Sequence, residues 1–92
     1  MEFEWDEQKN IRNIRWHGID FVDVPEMFNY YMLIDLDRRE DYGEDRWVGV
    51  GILRNSIVVV VFTEPTPDTI RLISARKANK YERQRYQESI PY

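Results

Sequence analysis

Polar and apolar residues alternate at the start of the chain, and the spacing then becomes helical. The alternation over residues 2–5 predicts a short strand with one buried face. Residues 7–17 lack Gly and Pro, carry Ile11 and Ile14 on one face, and are followed by Gly18, a frequent residue just after a helix. We therefore predict a first helix over residues 7–17.

A second short helix and four further strands follow along the chain. Apolar residues recur over 19–28, with Pro25 in an early helical turn, and Asp6 and Asp20 are available as N-caps of the two helices. The predicted strands are Met32–Leu36, Trp47–Arg54, Ile57–Thr63 and Thr69–Ile73, and the nearly all-apolar Ile57–Thr63 is expected at the centre of the sheet. A tight turn at Asn55-Ser56 and loops over residues 38–45 and 64–68 join them.

The chain is expected to end in a helix over residues 75–89, capped by Ser74 and stopped before Pro91. The resulting order is β-α-α-β-β-β-β-α. Short turns between successive strands favour a mostly antiparallel sheet, so the predicted fold class is α+β, with two N-terminal helices and one C-terminal helix. Because 92 residues suffice for one hydrophobic core, we expect residues 1–92 to form a single domain.

Composition excludes several classes of protein. The absence of cysteine rules out disulfides and thiolate chemistry, and a single histidine argues against a structural zinc site. The longest apolar run, Ile57 to Phe62, is far too short to span a membrane, and the acidic N-terminus does not resemble a signal peptide. We expect a cytoplasmic protein with no membrane association.

The charge is unevenly distributed. The formal net charge of −4 argues against binding nucleic acid through bulk electrostatics. Residues 1–45 hold 13 acidic and 5 basic side chains, whereas residues 71–92 hold 6 basic and 2 acidic ones. The basic charge is thus concentrated in the last quarter of the chain.

The predicted last helix is a candidate phosphate site. Its basic residues lie near a helix N-terminus, which attracts anions, and two arginines in strands could add guanidinium groups. The residues concerned are Arg76, Lys77, Lys80, Arg83 and Arg85 in the helix, with Arg46 and Arg71 in the strands. A charged surface helix with no specific ligand explains the same pattern equally well.

The first helix carries a polar stripe formed by Lys9, Asn13 and either Trp16 or His17. Such a stripe is most often a solvated face, and a histidine in the last turn is favoured by the helix dipole. Four aspartates could be imagined as magnesium ligands, but a charged loop explains them better; they are Asp35, Asp37, Asp41 and Asp45. No Gly-rich phosphate loop, nucleophile elbow or HExxH pattern is present, which argues against nucleotide hydrolases, serine hydrolases and zinc proteases.

Three segments together resemble the BrnT family of type II toxins. They are WDEQKNIRNIRWHGIDF over residues 5–21, GEDRWVGVG over 43–51 and ISARKANKYERQRY over 73–86. Matches to the family pattern are Trp5, Asp6, Lys9, Asn13, His17, Gly18, Ile19, Phe21, Glu44, Arg46, Trp47, Ser74, Ala75, Arg76, Ala78, Glu82, Arg83 and Tyr86. Trp16 departs from the pattern, since lysine is common at that position.

The resemblance implies a RelE-like fold and an endoribonuclease that needs neither metal nor cofactor. It further implies a ribbon-helix-helix antitoxin that inhibits the toxin, forms a heterotetramer with it and represses their shared operon. A metal-free ribonuclease needs proton-transfer groups and cations that stabilise the charged transition state. The assigned catalytic residues are Arg46 and Arg76 as phosphate clamps and Lys9 and His17 as proton-transfer or electrostatic groups, with Arg71, Lys80 and Arg83 as substrate-binding residues.

Two other functions remain open at this point. A degenerate toxin could bind its antitoxin without cleaving RNA, which the acidic net charge would suit. Direct DNA binding is less well supported, because no recognition-helix motif is present and the basic residues are confined to one end of the chain.

Overall fold

The computed structural model describes residues 1–91. Within that range, five strands, two α-helices and one 3₁₀ helix follow in the predicted order. They are β1 Glu2–Glu4, α1 Glu7–His17, the 3₁₀ helix Phe21–Asn29, β2 Met32–Leu36, β3 Trp47–Leu53, β4 Ser56–Thr66, β5 Thr69–Lys77 and α2 Lys80–Ser89. The α+β prediction is confirmed.

The described strands form one mixed sheet in the order β1-β5-β4-β3-β2. β1 pairs parallel with β5, and the other three pairings are antiparallel, as expected of a mostly antiparallel sheet. β4 occupies the middle position, because its run of apolar residues must be covered on both faces. Its residues Val58 and Val60 face one core, and Val59 faces the other.

The two faces of the sheet are covered unequally. The 3₁₀ helix fills one face with Phe21, Val24 and Met27, which are fully buried, and it packs against β3 and β5. On the other face, α2 contributes Tyr86 to a smaller cluster with Val50, Val59 and Ala78. Since α2 has only 10 residues, it leaves part of this second face uncovered. We call the face of the sheet that carries Val50 and Val59 the open face.

Local signals at the first two helices behave as predicted. The carboxylate of Asp6 accepts from the Gln8 backbone N–H, and that of Asp20 accepts from the Val22 N–H. Gly18 ends α1 with φ 70°, a left-handed conformation that glycine adopts without steric cost.

The buried face of α1 is the polar one, contrary to the usual amphipathic arrangement. Ile11 and Ile14 are 51% and 42% exposed, whereas Asn10 and Asn13 are buried. Asn13 donates to the carbonyl oxygens of Ile19 and Ala75 and accepts from the Ala75 N–H. Its amide thereby satisfies backbone groups of β5 beyond the short pairing with β1, so α1 covers this sheet edge through hydrogen bonds.

Two predicted connections are displaced. The hairpin turn lies at Arg54-Asn55, one residue earlier than expected, because Leu53 pairs with Ser56 and Arg54 takes φ 56°. The predicted loop over residues 64–68 is wrong, since β4 continues to Thr66 and only residues 67–68 form a turn. Hydrogen bonding to β5 at the Thr66–Thr69 pair extends the strand through Pro65.

The start of the last helix was also predicted wrongly. Residues 74–77 belong to β5 and pair with β4, and α2 begins only at Lys80. Asn79 is the N-cap and accepts from the Glu82 N–H, while the Glu82 carboxylate accepts from the Asn79 N–H. This reciprocal capping box, three residues apart, replaces the expected Ser74 cap.

Candidate active site

The open face holds a cleft between α2 and the loop that follows β2. Register places Arg76 beside Val59, Ser74 beside Val61 and Arg71 beside Thr63. The cleft has a volume of about 440 Å³. Its lining residues are Asp35, Leu36, Asp37, Arg38, Arg39, Val48, Val59, Val61, Ser74, Arg76, Glu82 and Arg85. Valine side chains therefore form the base of the cleft, and charged side chains surround them.

The charge of the cleft is opposite in sign to that of the whole chain. Four arginines and three carboxylates line it, which gives a net charge of +1 against −4 overall. At the edge of the cleft, Nη2 of Arg85 lies 3.5 Å from Oδ2 of Asp35. A narrow region of positive charge in an acidic protein can attract a phosphate without making the whole surface bind nucleic acid.

Arg76 is held by a two-bond contact with Glu82. Nη1 and Nη2 of Arg76 donate to the two carboxylate oxygens at 2.8 Å each. This hydrogen bonding lowers the pKa of Glu82 to about 2 and raises the pKa of Arg76. Because Glu82 also caps α2, the beginning of that helix and the orientation of Arg76 depend on one side chain.

A second arginine and carboxylate pair lies in the loop after β2. Asp37, whose side chain is only 1% exposed, accepts from the backbone N–H, Nε and Nη2 of Arg39. These bonds lower the pKa of Asp37 to about 2. The Tyr42 hydroxyl also donates to Asp37 at 3.4 Å, and the Arg46 guanidinium lies 4.0 Å from the centre of the Tyr42 ring. One buried carboxylate thus organises much of the charged loop.

The family relationship rests on most of the chain. Residues 5–82 match the family model described as "Ribonuclease toxin, BrnT, of type II toxin-antitoxin system". This chain belongs to the BrnT family. The predicted resemblance is confirmed, and the family is one of ribonuclease toxins that work with an antitoxin.

A solved BrnT structure has the same fold. The chain is 28% identical to the Brucella abortus ribonuclease toxin BrnT, known from a crystal structure at 1.1 Å resolution, with a TM-score of 0.73. The match covers 87% of this chain and 99% of the Brucella chain. A search of curated proteins finds no significant match.

Of the BrnT-pattern residues assigned to the site, Arg76 lines the cleft. It does so from β5, so the expectation that a helix N-terminus presents it was wrong. Arg46 lies just before the first residue of β3, and the alternation of side chains along the strand places it on this face. Its backbone oxygen accepts from the Asp37 N–H. Arg71 lies further along β5 on the same face, where Nε donates to Glu4 at 2.7 Å.

The other assigned residues lie on helices outside the cleft lining. Lys80 and Arg83 are exposed on α2, and Arg83 donates to the Ala78 carbonyl oxygen. Lys9 and His17 belong to α1, which lies against β5 and not over the cleft. The structure therefore places Arg46, Arg71 and Arg76 on one face of the sheet and leaves Lys9 and His17 of α1 apart.

Several cleft residues were missed by sequence reasoning. Asp37 was considered only as one of several acidic residues at the end of a strand and in a charged loop, Arg39 was placed in that loop, and Ser74 was assigned as a helix cap and a family match. Glu82 was recognised only as part of the family pattern. The spacing Asn79-x-x-Glu82 before a helix could have revealed its capping role, but no local signal shows that Asp37 is buried.

Residues 1–91 contain neither a cluster of metal ligands nor a membrane-spanning helix. No group of three or more His, Cys, Asp or Glu side chains in that range could hold a metal ion. In the same part of the chain, no helix is long and apolar enough to cross a membrane.

Proposed function

We propose that this chain is a metal-independent endoribonuclease toxin whose cleavage of RNA inhibits translation. The observation that carries the proposal is the cleft on the open face, where Arg76 and further guanidinium groups surround a site of net charge +1. Guanidinium groups match the geometry of phosphate oxygens and keep their charge at every physiological pH. Membership of a ribonuclease toxin family supports the reaction class.

Cleavage of RNA through its 2′-hydroxyl requires three contributions from the protein. A base must take the hydroxyl proton, cations must stabilise the charge that builds up around phosphorus, and an acid must protonate the leaving 5′-oxygen. We propose Arg76 and Arg46 as the phosphate-binding cations of the open face. Arg71, Lys80 and Arg83 would contact neighbouring phosphates from β5 and α2, and Lys9 and His17 are proposed for proton transfer because they match the family pattern.

We further propose that residues 1–92 form one RelE-like toxin domain in the cytoplasm, with a ribbon-helix-helix antitoxin as its partner. Toxin and antitoxin would form a heterotetramer that also represses their operon. The support is the family description, which places BrnT in type II toxin-antitoxin systems. Co-purification with the adjacent gene product, followed by light scattering, tests both the partner and the stoichiometry.

The central experiment compares cleavage of a defined RNA by purified wild type, Arg76→Ala and Arg46→Ala, with and without EDTA and with and without ribosomes. Removing one transition-state cation should lower the rate on the order of 10²-fold or more. Lys77→Ala is the matched control, because Lys77 neighbours Arg76 in β5 but is exposed on the opposite face. His17→Ala and Lys9→Ala in the same assay test whether α1 takes part.

Loss of cleavage in EDTA would disprove metal independence, and equal rates in all variants would disprove the assigned site. A non-catalytic toxin that only binds its antitoxin is the second candidate. It is favoured by the contact between Arg76 and Glu82, which already occupies both terminal nitrogens of the arginine. Absence of cleavage by wild type under every condition, with intact antitoxin binding, would support it.

A further inference from the structure

Two arginines line the same cleft from different segments, and each is attached to its own carboxylate. Arg39 comes from the loop after β2 and is bonded to Asp37, while Arg76 comes from β5 and is bonded to Glu82. The first pair is the more unequal in exposure: the side chain of Arg39 is 72% exposed and that of Asp37 only 1%, against 42% for Arg76 and 21% for Glu82. The carboxylate is thus the fixed partner, and the guanidinium is the accessible one.

We propose that Arg39 is the second arm of a two-arginine clamp that grips an RNA backbone phosphate opposite Arg76, with Asp37 as its positioning residue. The inference deepens the proposed function and rests on it. It adds a substrate-binding residue and a positioning residue from a loop that carries no recognisable motif.

The hydrogen bonds of Arg39 leave donors for a ligand. Asp37 takes Nε and one N–H of Nη2, which leaves three of the five guanidinium N–H groups. Nη1 makes no hydrogen bond within residues 1–91. A phosphate that approaches from the cleft can therefore bind Arg39 without breaking its contact with Asp37.

The pair joins an exposed group to a buried one. Arg39 is mostly exposed, so water screens part of its attraction to Asp37. Burying Asp37, by contrast, is costly unless its oxygens are fully bonded, and here Arg39 and Tyr42 supply the donors. The loop uses its buried carboxylate to hold one accessible guanidinium in place.

Both guanidinium groups belong to the lining of the same cleft, so their positive charges repel each other. The bonds to Glu82 raise the pKa of Arg76, and the positive charge of Arg39 opposes that rise. An anion bound between them would relieve this repulsion. A phosphodiester of RNA would do so while the rest of the RNA continues along the cleft. Neutral or cationic ligands gain nothing from such a site.

The test measures binding and cleavage separately. Binding is followed by fluorescence anisotropy with an oligonucleotide whose 2′-hydroxyl at the cleavage site is replaced by hydrogen, and cleavage is followed with the matching RNA. Arg39→Ala should weaken binding about 10-fold to 100-fold and reduce the salt dependence by about one phosphate contact. Arg39→Lys should recover only part of the loss, since it keeps the charge without the planar fork.

Asp37→Asn separates positioning from overall charge. The substitution makes the protein one unit more positive, so bulk electrostatics predicts tighter binding, whereas loss of orientation predicts weaker binding with an unchanged salt slope. The matched controls are Arg54→Ala and Asp23→Asn. Arg54 and Asp23 form an ion pair with a 67% exposed arginine outside the cleft lining, and both controls should bind within about twofold of wild type.

The outcomes for the clamp and for the proposed function can be told apart. Arg39→Ala that binds like Arg54→Ala, while Arg76→Ala loses binding, would overturn the clamp and leave the proposed function intact. Wild type that neither binds nor cleaves would overturn the proposed function itself. If Asp37→Asn or Arg39→Ala fails to fold, Arg39→Lys still decides the question, because it keeps a cation beside the buried Asp37 and circular dichroism can confirm that its fold is native.

Discussion

Replacing Asn13 with alanine should destabilise the fold strongly, although asparagine on a helix surface usually contributes little. Asn13 is buried between α1 and β5 and makes three hydrogen bonds of 2.8–3.0 Å. Two of them satisfy the N–H and C=O of Ala75, a residue with no exposed surface. The substitution would leave these backbone groups and the Ile19 carbonyl without a partner.

The expected cost follows from those three bonds. Each hydrogen bond contributes roughly 1 kcal/mol net, and a buried group left unpaired costs about 1–3 kcal/mol. A loss of about 3–5 kcal/mol is therefore expected, a large part of the roughly 5–15 kcal/mol by which a typical domain is stable. Since 1 kcal/mol shifts the melting temperature of a domain of this size by about 4–8 °C, the midpoint should fall by at least about 12 °C.

Thermal unfolding followed by circular dichroism measures this shift. Arg12→Ala is the control, because Arg12 is exposed on the same helix next to Asn13, and it should change the midpoint by no more than a few degrees. Asn13→Asp should be at least as damaging as alanine, since a carboxylate cannot donate to the Ile19 and Ala75 carbonyl oxygens. A midpoint for Asn13→Ala within about 4 °C of wild type would refute this account of the α1–β5 contact.

Two further predictions concern the hydrophobic core and the stability of the fold at acidic pH. Val60 is fully buried in the middle strand, so Val60→Asp should abolish the cooperative melting transition, and a native-like transition would disprove the central position of β4. Asp37 and Glu82 have pKa values lowered to about 2, so their stabilising contributions are complete above about pH 5 and are lost as the pH falls from about 4 towards 2. The urea midpoint of the wild type should fall over that pH interval, and the urea midpoint of Arg76→Ala should fall less. Equal falls in the two proteins would contradict the role of the Glu82 contact.

Local patterns predicted those parts of the fold that local physics determines. The caps at Asp6, Asp20 and Gly18 depend on a few neighbouring residues, and all three were predicted. The centre of the sheet could also be foreseen, because six consecutive apolar residues need cover on both faces. Long-range pairing could not be foreseen: residues 74–77 resemble the start of a helix, but hydrogen bonds to β4 keep them in a strand.

The candidate site shows the same division. Arg76 was found through the family pattern, although its place on β5 differs from the expected helix terminus. Arg39 was missed, since its role depends on a buried carboxylate two residues earlier whose burial comes from the surrounding fold. Exposure of Ile11 and Ile14 was missed for a related reason, because the contact partner of α1 is a strand edge with backbone groups to satisfy.

The parallel pairing of β1 with β5 affects the order in which the chain can fold during its synthesis. Residues 2–4 are made well before their partners at residues 69–71, which follow more than 60 residues later in the sequence. The cleft needs still later residues, since Arg76, Glu82 and Arg85 face the segment from Asp35 to Arg39. Contacts between such distant parts of a sequence form late and slowly. A ribosome whose chain has not yet extended past residue 85 therefore carries no assembled cleft, and the arginines come together only after that residue has been made.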